Sequence, residues 1–578
     1  MSDETASSGL VFTIGLTGHR DIHPEAMAGV REALRNELLV LKSSFKSLPV
    51  ELVTGLAEGA DTLATEVALE IGMPVRVVLP MPRSLYEPDF EDAALDDFRR
   101  LVTDDRIQVQ ELPLPPGTSE VEITSGASRD ELYARLMDYL VRRSNVLVAL
   151  WDGEVTGLTG GSSDVVTRYL ADSGLQSSEA QPFKMTNDAA LADDQSDVVI
   201  WIKTLRHTGS IGDRSAQTSF LVQAGATGVA CRLPSLPEAL QDRWRDFDQY
   251  AHERDSETGR ALPVYPMSEP GDSRICEIAE AIDGDFNRAD QLAMANQSQS
   301  DRLFKLFGLM AALMGLAFLL YAKIAALKFF LIAYVGLFAL GFLLFAVGNR
   351  RGWFGRHLAF RALAETLRVR FFMVLSGSGS AMPTRRLFQL TSVDRFKGFG
   401  WICDAIRCTE PLTYESNVSL DERVSAASQR WVMDQAQYFS RKRDQLHKQH
   451  ERLETVKKGL FLAAFLGAVS LLFFKKILYD FHIYDLDGKT LVVFLMGLLP
   501  LWLAIWEIYQ TKMATRELLW QYANQSERFE MAQIRLGSMT DPKQKQSVIF
   551  DLAERSLMDV IQWSTHRYHR EHEPPSAG

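Results

Sequence analysis

Three glycine-rich turns gather side chains able to do chemistry in this chain of 578 residues. The first is Gly15-Leu16-Thr17-Gly18-His19-Arg20. The second is Thr54-Gly55-Leu56-Ala57-Glu58-Gly59-Ala60-Asp61. The third opens at Trp151-Asp152-Gly153 and closes at Gly160-Gly161-Ser162-Ser163-Asp164. Glycine tolerates positive φ and lets backbone N–H groups approach a ligand closely. A helix starting right after such a turn aims unpaired N–H groups and its positive dipole end at the same place. Phosphate is the natural occupant. Thr17, Ser162 and Ser163 supply hydroxyl donors and Arg20 a charged one. His19 and Asp152 lie in the same turns. Asp61 and Asp164 either accept from ribose hydroxyls or cap their helices. Glu58 is a candidate acid or base, but nothing in the sequence tunes its pKa. No catalytic residue is assigned.

Each turn alone is ordinary loop chemistry; the signal is the convergence of three. The first turn is not GxGxxG, and no GxxxxGK[ST] occurs, so the usual dinucleotide and P-loop fingerprints do not apply. Cys231, Cys276, Cys403 and Cys408 form no CxxC or Cys/His ladder. They predict no metal site and no disulfide framework, and suit reduced thiols in a cytosolic compartment.

The turns need a scaffold that brings them together. Strand-like apolar runs recur at Val11–Leu16, Val50–Thr54, Val75–Leu79, Val146–Trp151 and Val198–Ile202. Helical patterns intervene at Pro24–Leu41, Ala60–Ile71, Arg129–Arg143 and Ser163–Ala171. This alternation predicts an α/β, Rossmann-like, doubly wound parallel sheet over residues 11–271. The unbroken run VLVALW suits a strand covered on both faces. In such a sheet all three turns emerge at the carboxyl edge, where ligands bind. Asp172–Asp197 reads as an irregular loop, and residues 1–10 as a disordered tail.

The second half differs. Apolar runs at Leu306–Ala322, Phe329–Gly348, Gly459–Phe474 and Leu491–Trp506 approach the roughly 20 residues that cross a bilayer core. They predict an all-α membrane domain of four transmembrane helices, in hairpins over 306–348 and 459–509. A linker helix is expected at 272–305, a cytoplasmic helical segment at 349–458 and further cytoplasmic helices at 510–578. Within 349–458, SGSGSAMPTRR reads as loop. The stretch from Arg430 to Lys458 reads as one long helix, with Val432, Phe439, Leu446 and Leu453 in a narrow apolar stripe that packs on a neighbour. Lysines 323, 328, 475, 476 and 489 mark the hairpin loops, whereas Arg302, Lys305, Arg350, Arg351, Arg356 and others crowd the opposite flanks. The richer side should be cytoplasmic, which puts both termini inside. MSDETASSGL lacks the features of a signal peptide. A net charge of −12 argues against nucleic acid as a partner. Small residues at Gly308/Ala312, Ala311/Gly315 and Ala463/Gly467 permit close helix packing, as in a homo-oligomer.

GLTGHRD, VTGLAEGADTLA, LPMPRSLYEPDF, SNVLVALWDG and GGSSDVV resemble the SLOG superfamily over about Val11–Tyr169. That group includes DprA-like proteins, LOG phosphoribohydrolases and the N-terminal region of TRPM-type channels. WVMDQAQYF and the helix through Glu554, Trp563 and Arg567 are similar to SLATT-type two-span modules. Together the resemblances imply a multi-pass protein of the bacterial inner membrane, gated by a nucleotide or NAD-derived signal such as ADP-ribose or a cyclic nucleotide. They imply an effector that opens or permeabilises the membrane in anti-phage defence, with no cofactor beyond the signal. LOG enzymes carry a glutamate after the paired glycines; here Ser162-Ser163-Asp164-Val165-Val166-Thr167 follows instead. A membrane-tethered LOG-like hydrolase, using Glu58 or Asp164, is the alternative. A scaffold whose domain only binds partners is a third.

Overall fold

A computed structural model describes residues 10–115, 126–156, 160–171, 184–193, 197–207, 216–224, 229–256, 273–378, 398–408, 418–483, 486–512 and 515–572. The chain divides into two compact units. One comprises residues up to Asn287 together with Thr366–Val374 and Ser378–Ser419; the other comprises Arg288–Glu365, Leu375–Gly377 and the chain from Leu420 onward.

The first unit is built on a nine-stranded sheet. Its strands are β1 (Phe12–Gly18), β2 (Val50–Thr54), β3 (Val75–Leu79), β4 (Ile107–Glu111), β5 (Val146–Trp151), β6 (Lys184–Thr186), β7 (Val198–Lys203), β8 (Thr218–Gln223) and β9 (Val229–Leu233). They lie in the order 4-3-2-1-5-7-8-9-6. The strands from β4 across to β7 in that order pair in parallel; β8 runs antiparallel to both β7 and β9. The helices are α1 (Pro24–Ser44), α2 (Ala60–Glu70), α3 (Arg83–Tyr86), α4 (Asp92–Val102), α5 (Ala127–Arg143), α6 (Ser162–Ala171) and α7 (Glu238–Ser256). The predicted doubly wound architecture is present.

Burial explains the strand pattern. Every residue of β5 is buried, as expected of a central parallel strand covered on both faces. Leu147, Ala149 and Trp151 pack with Met137 and Val141 of α5, Val166 and Tyr169 of α6, and Trp201 of β7. Strand order reverses between β1 and β5, the neighbours on which the chain winds in opposite directions, so their carboxyl ends flank the topological switch point. Of the expected irregular stretch at Asp172–Asp197, residues 184–193 include β6 and a short 3₁₀ turn, while 172–183 and 194–196 lie outside the described residues. The expected tail lies almost wholly outside them too, and so does most of SGSGSAMPTRR.

Helices make up nearly all of the second unit. They are α8 (Ser273–Lys323), which starts in the first unit, α9 (Lys328–Arg350), α10 (Trp353–Leu375), α11 (Trp401–Arg407, in the first unit), α12 (Leu420–Ala427), α13 (Asp434–Phe473), α14 (Lys475–Asp480), α15 (Gly488–Lys512), α16 (Thr515–Ser538) and α17 (Pro542–His572). A π-helical turn, Ser428–Met433, joins α12 to α13. The expected linker helix and first span are one helix of 51 residues. Four stretches, Ile278–Lys323, Lys328–Leu375, Leu420–Phe473 and Gly488–Thr511, are long and apolar enough to cross a membrane, and each coincides with one predicted span. Their outward faces carry Phe329, Phe342, Phe461 and Leu472, all about 70% exposed or more, which suits contact with lipid tails.

The long helix α13 packs on α16 as its stripe suggests: the Phe439 ring sits 5.9 Å from Tyr522 and 5.4 Å from Phe529. Two of the small residues, Gly315 and Gly467, are used within the chain. A Cβ on Gly315 would fall 2.2 Å from Leu501, and one on Gly467 would fall 3.2 Å from Met496. Both glycines admit side chains of α15 of the same chain, so neither argues for contact between subunits.

Candidate functional site

Strand β1 ends at Gly18 because nothing larger fits. A Cβ there would lie 2.4 Å from the Ala60 Cβ and 2.9 Å from Leu150. The glycine lets β1 and β5 run side by side beneath the start of α2. His19 then ties all three turns together. Its N–H donates to the Leu150 carbonyl (3.0 Å), and its carbonyl accepts from the Ala60 N–H (3.0 Å). Its Nε2 accepts from the Asp152 N–H (3.0 Å) and lies 3.1 Å from Asp152 Oδ1.

The second turn closes against the first. Gly59 has φ +82°, and a Cβ there would strike the Arg20 carbonyl oxygen at 2.2 Å. Leu56 takes φ +54°, which costs a side-chain-bearing residue free energy. It is held there by full burial and by its N–H donating to Thr54 Oγ1 (3.2 Å). The Ala57 N–H donates to Asp61 Oδ2 (3.2 Å).

The third turn repeats the device. The Gly160 N–H donates to Asp164 Oδ2 (3.0 Å), while Arg168 Nε donates to Asp164 Oδ1 (2.7 Å). In both turns a carboxylate in the first turn of the following helix holds the amide four residues before it. Asp61 and Asp164 each close the turn before their helix, a use the sequence did not assign to them. Ser163 is buried and its hydroxyl accepts from the Thr156 N–H (3.4 Å). The Glu154 N–H donates to Asp152 Oδ1 (2.9 Å). Gly55 abuts the Leu136 side chain. Gly161 and Ser162 are half-buried at the start of α6, whose first amides have no acceptor within the helix. Thr17 is buried, and Glu58 is exposed.

Electrostatics single out two residues. Burial pushes the Asp61 carboxyl up from 3.8 to about 6, against the pull of the Ala57 amide, the Thr54 hydroxyl and the nearby Arg20 charge. Arg20 is exposed, and its guanidinium carbon lies 5.7 Å from the centre of the Tyr133 ring. The charge of Asp164 is matched by Arg168.

Four residues beside these turns carried no assigned role in the sequence. The buried Tyr86 hydroxyl donates to the Gly55 carbonyl (3.3 Å). The Tyr133 hydroxyl bonds to Asp89, which also accepts from Arg129 (2.6 Å). Arg129 and Tyr133 lie four apart on α5, a spacing that places them on one helical face and was the available clue. Tyr86 and Asp89 fall within LPMPRSLYEPDF, a motif that marked resemblance without assigning chemistry.

The three turns are therefore in direct contact. Several of their amides serve the protein's own acceptors. What remains suited to an anion is the Arg20 guanidinium, together with the amides and Ser162 hydroxyl that open α6. Among the described residues, no group of three or more His, Cys, Asp or Glu is placed to hold a metal ion. No protein-family model matches the chain, and no curated protein matches it.

Proposed function

We propose that the α/β unit binds a nucleotide or NAD-derived signal and that the attached helices act on a membrane in response. One observation carries the reading: three turns of phosphate-binding composition meet beside a topological switch point, in a chain with four helices of membrane length. The SLOG resemblance narrows the ligand to a nucleotide, with ADP-ribose and cyclic nucleotides as the first to test. Arg20, which follows β1, and Ser162, at the opening of α6, hold the phosphate. Thr17, Gly55, Gly59 and Gly161 shape the turns around it.

Signal binding, not hydrolysis, is the favoured role. Glu58 is exposed and, among the described residues, makes no placed contact with a nucleophile, and Asp164 is held by Arg168 and Gly160. The ligand works by binding one conformation better than another, since equal affinity shifts no equilibrium. Four spans are few to enclose a pore, so we propose that copies assemble in the bilayer and that opening is unselective. The bacterial inner membrane, with both termini cytoplasmic, follows from the basic flanks and the resemblance to SLATT-type modules. Reconstituting the full chain in dye-loaded liposomes and titrating nucleotides tests this. Release at a saturable concentration supports it; tight binding with no release rejects the gating step.

A further inference from the structure

At the amino ends of the same strands lies a buried cluster of charge that the proposed signal site does not use. Asp404 of α11 is fully buried and accepts from Arg243 of α7 twice, at 2.7 and 3.0 Å. Arg243 also reaches Asp197, just before β7, at 3.4 Å. Arg407 of α11 pairs with the other oxygen of Asp197 and donates to the Ser144 carbonyl at 2.9 Å. Asn145, just before β5, accepts from the Thr13 N–H of β1 (2.9 Å) and donates to the Asp404 carbonyl (3.1 Å). The Trp401 ring stacks on Tyr250 of α7 with centres 4.7 Å apart. Two carboxylates and two guanidinium groups balance, and all four are buried.

Such a cluster is a poor way to gain stability, because desolvation offsets most of the attraction. It does specify one docking position, since any slip strands a buried charge. The position has a consequence set by chain order. The chain leaves the α/β unit after Asn287, runs through the first membrane hairpin and returns at Thr366. The same returning chain includes α11 further on, which the cluster holds at β1, β5 and β7.

We propose that α11 and its ion cluster form a coupling clamp, fixing the returning arm of the first membrane hairpin to the two strands whose far ends carry the first and third turns. A change at the turns is then joined to that hairpin through the chain that returns at Thr366. Among the described residues, the second hairpin contributes no segment to the α/β unit. The clamp takes its signal from the binding reading above, but its existence as a coupler does not depend on the ligand's identity.

Hydrogen exchange on the full chain in lipid nanodiscs tests it without any ligand. The paired substitution Arg243→Met with Asp404→Leu removes the central ion pair without leaving a lone charge from that pair. The clamp predicts exchange about tenfold faster or more in β1, β5 and residues 353–375 together, with α13 and α16 unchanged. Acceleration confined to 398–408, or equal in α13 and α16, overturns it. If the double variant does not fold, Asn145→Ala must give the same pattern at smaller amplitude, and a pattern confined to 144–146 overturns the proposal equally. Binding of ADP-ribose or cyclic nucleotides to the unmodified chain is followed separately by thermal shift. Its absence would end the signal-binding reading while leaving the exchange result to decide the clamp.

Discussion

Replacing Asp61 with asparagine separates the charge of this residue from its shape. The amide side chain keeps one oxygen to accept the Ala57 N–H, replaces the other with an NH2 donor and cannot ionise. In the folded chain burial lifts the native carboxyl from 3.8 to about 6. A shift of about two units corresponds to ~3 kcal/mol between the protonated and ionised forms. The sign follows from proton counting. Between about pH 4 and 6 the folded state holds the proton that the unfolded state has released, so stability falls as pH rises through that window. Above pH 6 the ionised carboxylate carries the full cost. The variant has no such slope. Wild type and D61N should therefore differ little from this source near pH 4, while D61N should be more stable at pH 8 by up to ~3 kcal/mol. Neighbouring charge from Arg20 is already included in that balance. Thermal unfolding of the full chain in detergent, followed by tryptophan fluorescence between pH 4 and 8, reads the difference directly. A stability difference that does not change across this range, or a D61N protein less stable at pH 8 than at pH 4 relative to wild type, refutes the burial argument.

Gly59→Val should destabilise the α/β unit by about 2–4 kcal/mol, since it combines unfavourable φ with a clash at the Arg20 carbonyl; thermal unfolding checks this. Arg20→Ala should weaken nucleotide binding by about 10–100-fold, because its guanidinium, beside the Tyr133 ring, is proposed to meet the anion; calorimetric titration of the full chain measures the affinity. A fragment ending at residue 290 should fail to give a monodisperse soluble protein, because losing α11 removes the partners of Asp197 and Arg243 and uncovers the Tyr250 ring; size-exclusion chromatography decides it.

What the sequence disclosed follows from which forces act locally. VLVALW announced a buried strand because each of its own residues is apolar, and β5 is buried at each position. IQVQE alternates, lies at one sheet edge as β4 and carries too weak a signal. The antiparallel pair β8 and β9 is equally hard to see, because TSFLVQ and VACRL both carry polar residues within the strand. Glycine turns were recognisable as turns, but not the reason for each glycine. Gly18 answers to Ala60 and Gly59 to the Arg20 carbonyl, contacts made by residues far away along the chain. The element least legible in the sequence is WICDAIRC. It reads as one more helix after a membrane hairpin, yet Asp404 finds its partner 161 residues earlier, at Arg243. Charge pairs at that separation leave no periodicity to detect.

The central claim is that a nucleotide binds where the three turns meet and acts on the membrane from there. Dye release from liposomes holding the full chain, titrated with ADP-ribose and cyclic nucleotides in parallel for wild type and Arg20→Ala, addresses both halves at once. The account predicts saturable release by at least one of these ligands, with the curve moved to about 10–100-fold higher concentration in the variant. Release with identical curves for the two proteins would contradict it.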